Sequence, residues 1–428
     1  MPDLGFDNLF LVALVALVAP LAVATVPALR VPAVVLEILA GIVLGPDVLG
    51  VVSADVPVQV LAVMGLAFLL FTVGLELDVR TLRGAALRLS VVGYAVSLAL
   101  GTGVGLFTAA AGWVSAPLLV AVALSATSLG LVVPVLKDSG NIESMTGRLT
   151  VGAATLADVA AILLLTLLFS EEASGVGSRI VLLLTFVGVV AVVGAGLLVT
   201  ERWKSLSRVV QRLQDTTAEI RVRGAVVLLL GFVVLAQEFG LEAILGALLA
   251  GVVVGAIDRD FSSHPQFRTK LDAIGYGFLI PVFFVTSGIR LDVAGLTSDP
   301  GALARLPVFL LALLLVRGAP ALLYRRYIST RQAAAAGLLQ ATSLPFLVTA
   351  TMIGTDLGVV TPVNAAALVG AGVVSVLVFP SAALGLLRRS ADALPPQTTA
   401  VSTSPQVLSA GQPARLEPSG AAGRPERR

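Results

Sequence analysis

Cysteine is absent from this chain, which excludes disulfides and thiolate metal sites. Histidine occurs once, as His264 in a predicted loop with Arg259, Asp260 and Arg268 nearby, and reads as a solvated loop residue ahead of a pH sensor. Charged residues make up 13% of the chain and aromatics 5%, against 57% hydrophobic residues, with a mean hydropathy of +1.00. A water-soluble globular domain does not combine these values, so the class is an all-α polytopic membrane protein. The start, MPDLGFDNLF, has Asp3 and Asp7 where a signal peptide would be basic, so the first apolar segment is expected to be retained. The pI near 9.2 reflects basic loops and an Arg-rich tail beside an anionic leaflet, and no nucleic-acid partner is expected. GTGVG at 101–105 lies within an apolar span with no strand before it, so its glycines are helix-packing residues and not a phosphate loop.

Apolar stretches long enough to cross a bilayer number about thirteen. They are predicted at 8–29, 32–50, 57–76, 85–111, 114–137, 147–170, 178–200, 222–238, 240–257, 270–289, 302–325, 332–355 and 361–388, the pair around Gln237 to Gly240 being the least clearly split. With the N-terminus outside and the C-terminus cytoplasmic, only Arg179, Arg290 and Arg305 of the 28 Lys and Arg residues fall on the outer side, and Arg317 falls deep within a span. That asymmetry is the positive-inside pattern of a multi-pass protein of a bacterial plasma membrane, and the excess of Arg over Lys fits a GC-rich source. Residues 389–428, rich in Pro, Ser, Ala, Gly and Arg, read as a disordered cytoplasmic tail after a transmembrane domain of 1–388.

Three sequence pairs recur in the same order. ATSL stands at Ala126 to Leu129 and again at Ala341 to Leu344, ILAGIVLG at 38–45 resembles LLAGVVVG at 248–255, and GLELD at 74–78 resembles GIRLD at 288–292. The offsets are 215, 210 and 214 residues. The members of each pair lie seven spans apart, and an odd number reverses the direction of travel, so two inverted-topology repeats are expected, about 8–170 and 222–388. Each ATSL sits in an apolar segment interrupted by Gly130 and Pro134 or by Pro345, placing hydroxyls beside a predicted helix break. Two such breaks in matching positions point to an ion or substrate site near the bilayer midplane of an alternating-access transporter.

Charged groups are costly in hydrocarbon, so the few inside spans are functional candidates. Asp158, in GAATLADVAAILLL, has no ionisable neighbour for nine residues before it or eleven after it. A carboxylate stripped of water has to balance its charge with a proton or a bound cation, and the two compete for one group. Arg317, in LLALLLVRGAPALLY, keeps its proton and serves as a fixed positive charge, offsetting helix C-termini or holding a carboxylate when the site is empty; snorkelling toward Arg325 is the other reading. Thr127 and Ser128, with Thr342 and Ser343, offer hydroxyl and carbonyl oxygens that suit a hard monovalent cation, or else help two helices pack. Glu37 is expected to be reached by water or paired with Arg30, and Glu76 with Asp78 reads as an interfacial cluster beside Arg80 and Arg83.

The segments LEILAGIVLGP at 36–46, AFLLFTVGLELD at 67–78, ALSATSLGLVVPVLKD at 123–138, LADVAAILLL at 156–165, AILGALLAGVVVG at 243–255 and PVFFVTSGIRLD at 281–292 together resemble the monovalent cation:proton antiporter-2 family of the sodium/hydrogen exchanger superfamily. The resemblance covers roughly 8–388. It implies two discontinuous helices that cross at Thr127 with Ser128 and at Thr342 with Ser343, an essential cation-binding aspartate at Asp158, and a supporting basic residue at Arg317 where many electrogenic members have lysine. It also implies a core domain moving like an elevator against a dimerisation domain, in a homodimer. No cofactor and no enzymatic reaction are expected.

Two departures from the family pattern bear on mechanism. Electrogenic members carry two adjacent acids and electroneutral relatives Asn-Asp, whereas Ala157 precedes Asp158 here. One titratable carboxylate beside a permanently charged arginine leaves no carrier for a second proton, so one-for-one electroneutral exchange of Na⁺ or K⁺ for H⁺ is the expectation. The nucleotide-binding regulatory domain of glutathione-gated potassium efflux relatives is not in the sequence, so gating of that kind is not expected. A cation-coupled symporter of a small organic solute is the alternative on the same fold, and a non-transporting membrane sensor a third, argued against by the buried charge.

Overall fold

In hydrocarbon the backbone has no water to bond, so an apolar segment satisfies its own N–H and C=O groups by closing into a helix. The computed structural model describes residues 6–25, 33–76, 84–169, 176–201, 219–260 and 265–391. Arg30, Asp78, Arg80, Arg83 and His264 lie outside the described residues, as do residues 392–428 of the predicted tail. Among the described residues, eight helices are long and apolar enough to cross a membrane, and shorter apolar helices lie at Asp7–Ala22, Ala33–Leu44, Pro117–Val133, Ile180–Gly196 and Ala243–Asp258. Each coincides with a predicted span. The only bridge-type pairing among the described residues is one antiparallel contact between Val114 and Val360.

The helices are α1 (Asp7–Thr25), α2 (Ala33–Leu44), α3 (Val56–Glu76), α4 (Gly84–Ala110), α5 (Pro117–Ser125), α6 (Leu129–Asp138), α7 (Met145–Phe169), α8 (Val176–Glu201), α9 (Ile220–Glu238) and α10 (Ala243–Asp260). They continue with α11 (Pro265–Ile274), α12 (Ile280–Ile289), α13 (Val293–Ser298), α14 (Pro300–Leu313), α15 (Thr330–Gln340), α16 (Pro345–Asp356) and α17 (Pro362–Ala391). A π-helical turn, Gly275–Leu279, joins α11 to α12, and a second, Leu314–Gly318, prolongs α14 into a 3₁₀ segment, Ala319–Arg326. Helix α17 runs three residues into the stretch predicted as tail. The doubtful split at Gln237 to Gly240 is real: Gly240 has φ +63°, and the N–H groups of Gly240 and Leu241 close onto Gln237 O and Ala236 O to end α9.

Two bundles interlock. In the first, α2 packs on α12 and α10 on α3, with α1 and α9 outside them; in the second, α4, α5 and α7 pack with α14 to α17. Glycine makes the crossings of the first bundle possible. A β-carbon on Gly41 would run into the Val285 carbonyl and one on Gly288 into the Ile38 carbonyl; Gly74 and Gly251 block each other's neighbours in the same reciprocal way, against Leu248 and Phe71. These four glycines belong to the recurring segments, so the motifs that repeat along the chain are the ones that touch in space. In the second bundle, the loops before α5 and after α16 are tied at one end. Ser115 N–H donates to Val359 O, and Arg305 bonds Asn364 while lying over the Trp113 ring. This tie fixes two interrupted helices, α5–α6 and α15–α16, against each other.

Candidate functional site

Between α5 and α6 the chain is extended at Ala126 (φ −78°, ψ 158°) and Ser128 (φ −92°, ψ 94°), and between α15 and α16 it breaks at Ala341 to Leu344. Pro345 opens α16 at its first position, where a missing N–H costs nothing, and Leu344 before it lies outside the helical region. At the first break the helix restarts at Leu129, so Gly130 and Pro134 both fall inside α6 and not at the interruption itself. Broken helices inside a membrane expose backbone groups that need partners. Here the breaks satisfy each other: Ser128 N–H donates to Thr342 O at 3.0 Å, and the Thr127 hydroxyl donates to Gln340 O at 2.8 Å.

The remaining donors of the first break go to a carboxylate. Asp158, on α7, accepts Thr127 N–H on Oδ1 and Leu129 N–H on Oδ2, each at 3.2 Å. It thus caps the N-terminus of α6 from a different helix, where free N–H groups and the helix dipole favour negative charge without cancelling it. Among the described residues no basic side chain comes within ion-pair distance of Asp158. The carboxylate borders a cavity of about 100 Å³ shared with Thr127, Ser128, Gly130, Tyr276 and Thr349. That volume holds an ion and a few waters, and is small beside the few hundred Å³ of ordinary organic-ligand pockets.

Arg317 is placed by the second π turn, where the extra residue re-aims the side chain. It is 1% exposed, which excludes snorkelling. Nor does it hold the aspartate: its Nε donates to Thr127 Oγ1 at 2.8 Å, Nη1 to Ser97 Oγ at 3.2 Å and Nη2 to Ala153 O at 3.4 Å. The guanidinium fork therefore fixes the hydroxyl of the first break. Thr127 accepts from Arg317 and donates to Gln340, so its hydroxyl is committed to structure. Ser128, by contrast, lines the cavity, and its hydroxyl makes no hydrogen bond among the described residues.

The hydroxyls of the second break are turned away. Thr342 Oγ1 donates back to Leu338 O, while Ser343 is fully buried with its hydroxyl unpartnered among the described residues, and neither lines the cavity. Ser343 N–H donates to Ser375 Oγ on α17 at 3.3 Å. From the second break it is α16 that reaches the cavity, through Pro345, Phe346 and Thr349. Sequence reasoning missed Thr349, Tyr276, Ser97 and Ser375. Only Tyr276 carried a signal, a polar aromatic flanked by two glycines in an apolar span. Glu37 departs from the expected water access: it is 4% exposed and its Oε2 is buried with no hydrogen bond among the described residues, while its other expected partner, Arg30, lies outside them.

Comparison with known proteins agrees with this architecture. The transmembrane sodium/hydrogen exchanger profile matches residues 13–388. The putative Na⁺/H⁺ antiporter YjbQ of Bacillus subtilis is 32% identical over 371 residues, covering 82% of this chain, which in turn spans 58% of that relative's length. The Na⁺/H⁺-K⁺ antiporter GerN of Bacillus cereus is 27% identical over 309 residues, 69% of this chain and 74% of its own. In fold, the chain is similar to the solved sodium proton antiporter MjNhaP1 of Methanocaldococcus jannaschii, with a TM-score of 0.59 at 18% identity over 89% of this chain and 98% of that one. On these matches, the chain belongs to the sodium/hydrogen exchanger family.

Proposed function

We propose that the protein exchanges a monovalent cation, Na⁺ or K⁺, for a proton across the membrane by alternating access, one for one and without net charge movement. The observation that carries the reading is Asp158: a buried carboxylate, unpaired with any basic group among the described residues, beside an open hydroxyl in an ion-sized cavity at a helix break. Such a group takes a proton or a cation but not both. Release of one prepares it for the other, which is sufficient for coupling.

The names of the relatives support antiport and give the organic-solute symporter no support. Electroneutrality rests on the single carboxylate in the cavity, on Ala157 beside it, and on Arg317, a guanidinium that serves as a fixed charge and not as a proton carrier. The crosswise packing of the recurring glycine segments supports reading 8–170 and 222–388 as inverted repeats, and hence two packings open to opposite sides. An outside N-terminus, a bacterial plasma-membrane location and an elevator-type homodimer, as the charge asymmetry and the family resemblance imply, belong to the same proposal.

The test is proton flux in proteoliposomes under an imposed pH gradient, with Na⁺, K⁺ or Li⁺ added in turn. We expect one or two cations to collapse the gradient at a rate indifferent to an imposed diffusion potential. A rate that follows the potential would reject electroneutrality and keep exchange; no response to any cation would reject exchange.

A further inference from the structure

Asp158, Thr127, Ser128 and Gly130 reach the cavity from the second bundle. One polar side chain reaches it from the first. Tyr276 sits at the second position of the π turn Gly275–Leu279, on the helix that packs against α3, and lines the same cavity. Its hydroxyl faces the first turn of α6, the turn whose Leu129 N–H rests on Asp158. A β-carbon added to Gly130 would lie 3.9 Å from that oxygen, with nothing else within 4 Å. The Tyr276 hydroxyl makes no hydrogen bond among the described residues. Glycine at 130 thus leaves open space between a free phenolic oxygen and the carboxylate's helix.

A tyrosine near a membrane surface is commonly an interfacial anchor, but two features set Tyr276 apart. Although 47% exposed, Tyr276 lines the cavity that holds Asp158, and it stands in a π turn, a feature frequent at functional sites. The other π turn among the described residues, Leu314–Gly318, delivers Arg317 to the same helix break. Both irregular turns therefore aim a side chain at the α5–α6 interruption, one from each bundle.

We propose that Tyr276 is a cation-binding residue supplied to the Asp158 cavity by the opposing bundle, and that it belongs to the site on one side of the membrane only. A hard monovalent cation takes oxygen ligands, and a phenol offers one without charge, directly or through one water. Asp158, Ser128 and Gly130 move together because they share interlocked helices, while Tyr276 belongs to the other bundle. Any relative movement that opens the cavity to the opposite side withdraws the phenol. The cation is then bound with one more oxygen on one face than on the other, giving the exchanger unequal affinities for the same ion. This inference rests on the exchange reading above.

The experiment compares wild type and Tyr276→Phe in everted and right-side-out vesicles, recording collapse of a pH gradient against the concentration of the cation that drives wild-type exchange. Loss of one neutral hydrogen-bonding or ligand contact predicts a half-saturating cation concentration raised by roughly 3- to 10-fold on one face. The other face is expected to be unchanged, and the maximal rate to stay within about twofold of wild type. The preserved maximal rate reports a folded protein. Gly130→Val, which fills the space before the hydroxyl while leaving Tyr276 in place, is expected to raise the half-saturating concentration on the same face. An equal shift on both faces, no shift on either, or a lost maximal rate in Tyr276→Phe overturns the inference. Absence of cation-driven flux in the wild type would instead overturn the exchange reading beneath it.

Discussion

The two ATSL breaks share a sequence and a crossing point, yet they treat their freed backbone groups differently. Helices α7 and α17 each present their fourteenth residue to the neighbouring break: Asp158 to Thr127 and Leu129, and Ser375 to Ser343. In one place a carboxylate accepts two N–H groups beside a cavity; in the other a hydroxyl accepts one N–H within solid packing. Arg317 then adds a permanent charge to the first break alone, through Thr127. The ATSL break recurs while its chemistry does not. One carboxylate at two crossing breaks is what the proposed exchange of one proton for one cation requires.

The largest contrast is expected between the two equivalent residues. Asp158→Asn removes the carboxylate proposed to take the proton and should abolish cation-driven proton flux, whereas Ser375→Ala should keep flux within a few-fold of wild type and lower stability by about 1 kcal/mol. Next comes Arg317→Lys, which keeps a positive charge but not the fork that reaches Thr127, Ser97 and Ala153 together. We expect about 2–3 kcal/mol of destabilisation, read as a lowered midpoint of thermal unfolding, and a variant as stable as wild type would contradict the structural role given to the fork.

A smaller difference should separate the threonines. Thr127→Val strips partners from Arg317 Nε and Gln340 O, at a cost of about 1–3 kcal/mol, while Thr342→Val removes only a bond back to its own helix and should stay within about 0.5 kcal/mol. Thermal midpoints of the two variants, measured side by side, check the contrast. Smallest is the serine pair. Ser128→Ala should raise the half-saturating cation concentration about 3- to 10-fold with a normal maximal rate, and Ser343→Ala, which deletes a buried hydroxyl with no partner among the described residues, should leave it unchanged.

The sequence made the first break far more legible than the second. Asp158 stands out because a lone carboxylate in a long apolar run has few benign explanations, and the recurrence of ATSL marked both interruptions. What each hydroxyl does depends on how the breaks cross, which no local pattern encodes. Thr127 and Thr342 have the same flanking residues, but one is clamped between Arg317 and Gln340 and the other folds onto Leu338. Thr349 and Ser97 are polar residues of a kind scattered through membrane helices, and only their neighbours distinguish them. The π turns that aim Tyr276 and Arg317 have no sequence signature at all. Fold-level features fared better, because the spans and the α9–α10 turn follow from hydropathy and from Gly240, which are local properties.

The most direct measurement is proton flux in proteoliposomes holding wild type, Asp158→Asn or Ser375→Ala under the same pH gradient and the same cation. Wild type and Ser375→Ala are expected to collapse the gradient and Asp158→Asn to give a flat trace. An undiminished response in Asp158→Asn, or equal losses in both variants, would contradict the proposed role of Asp158.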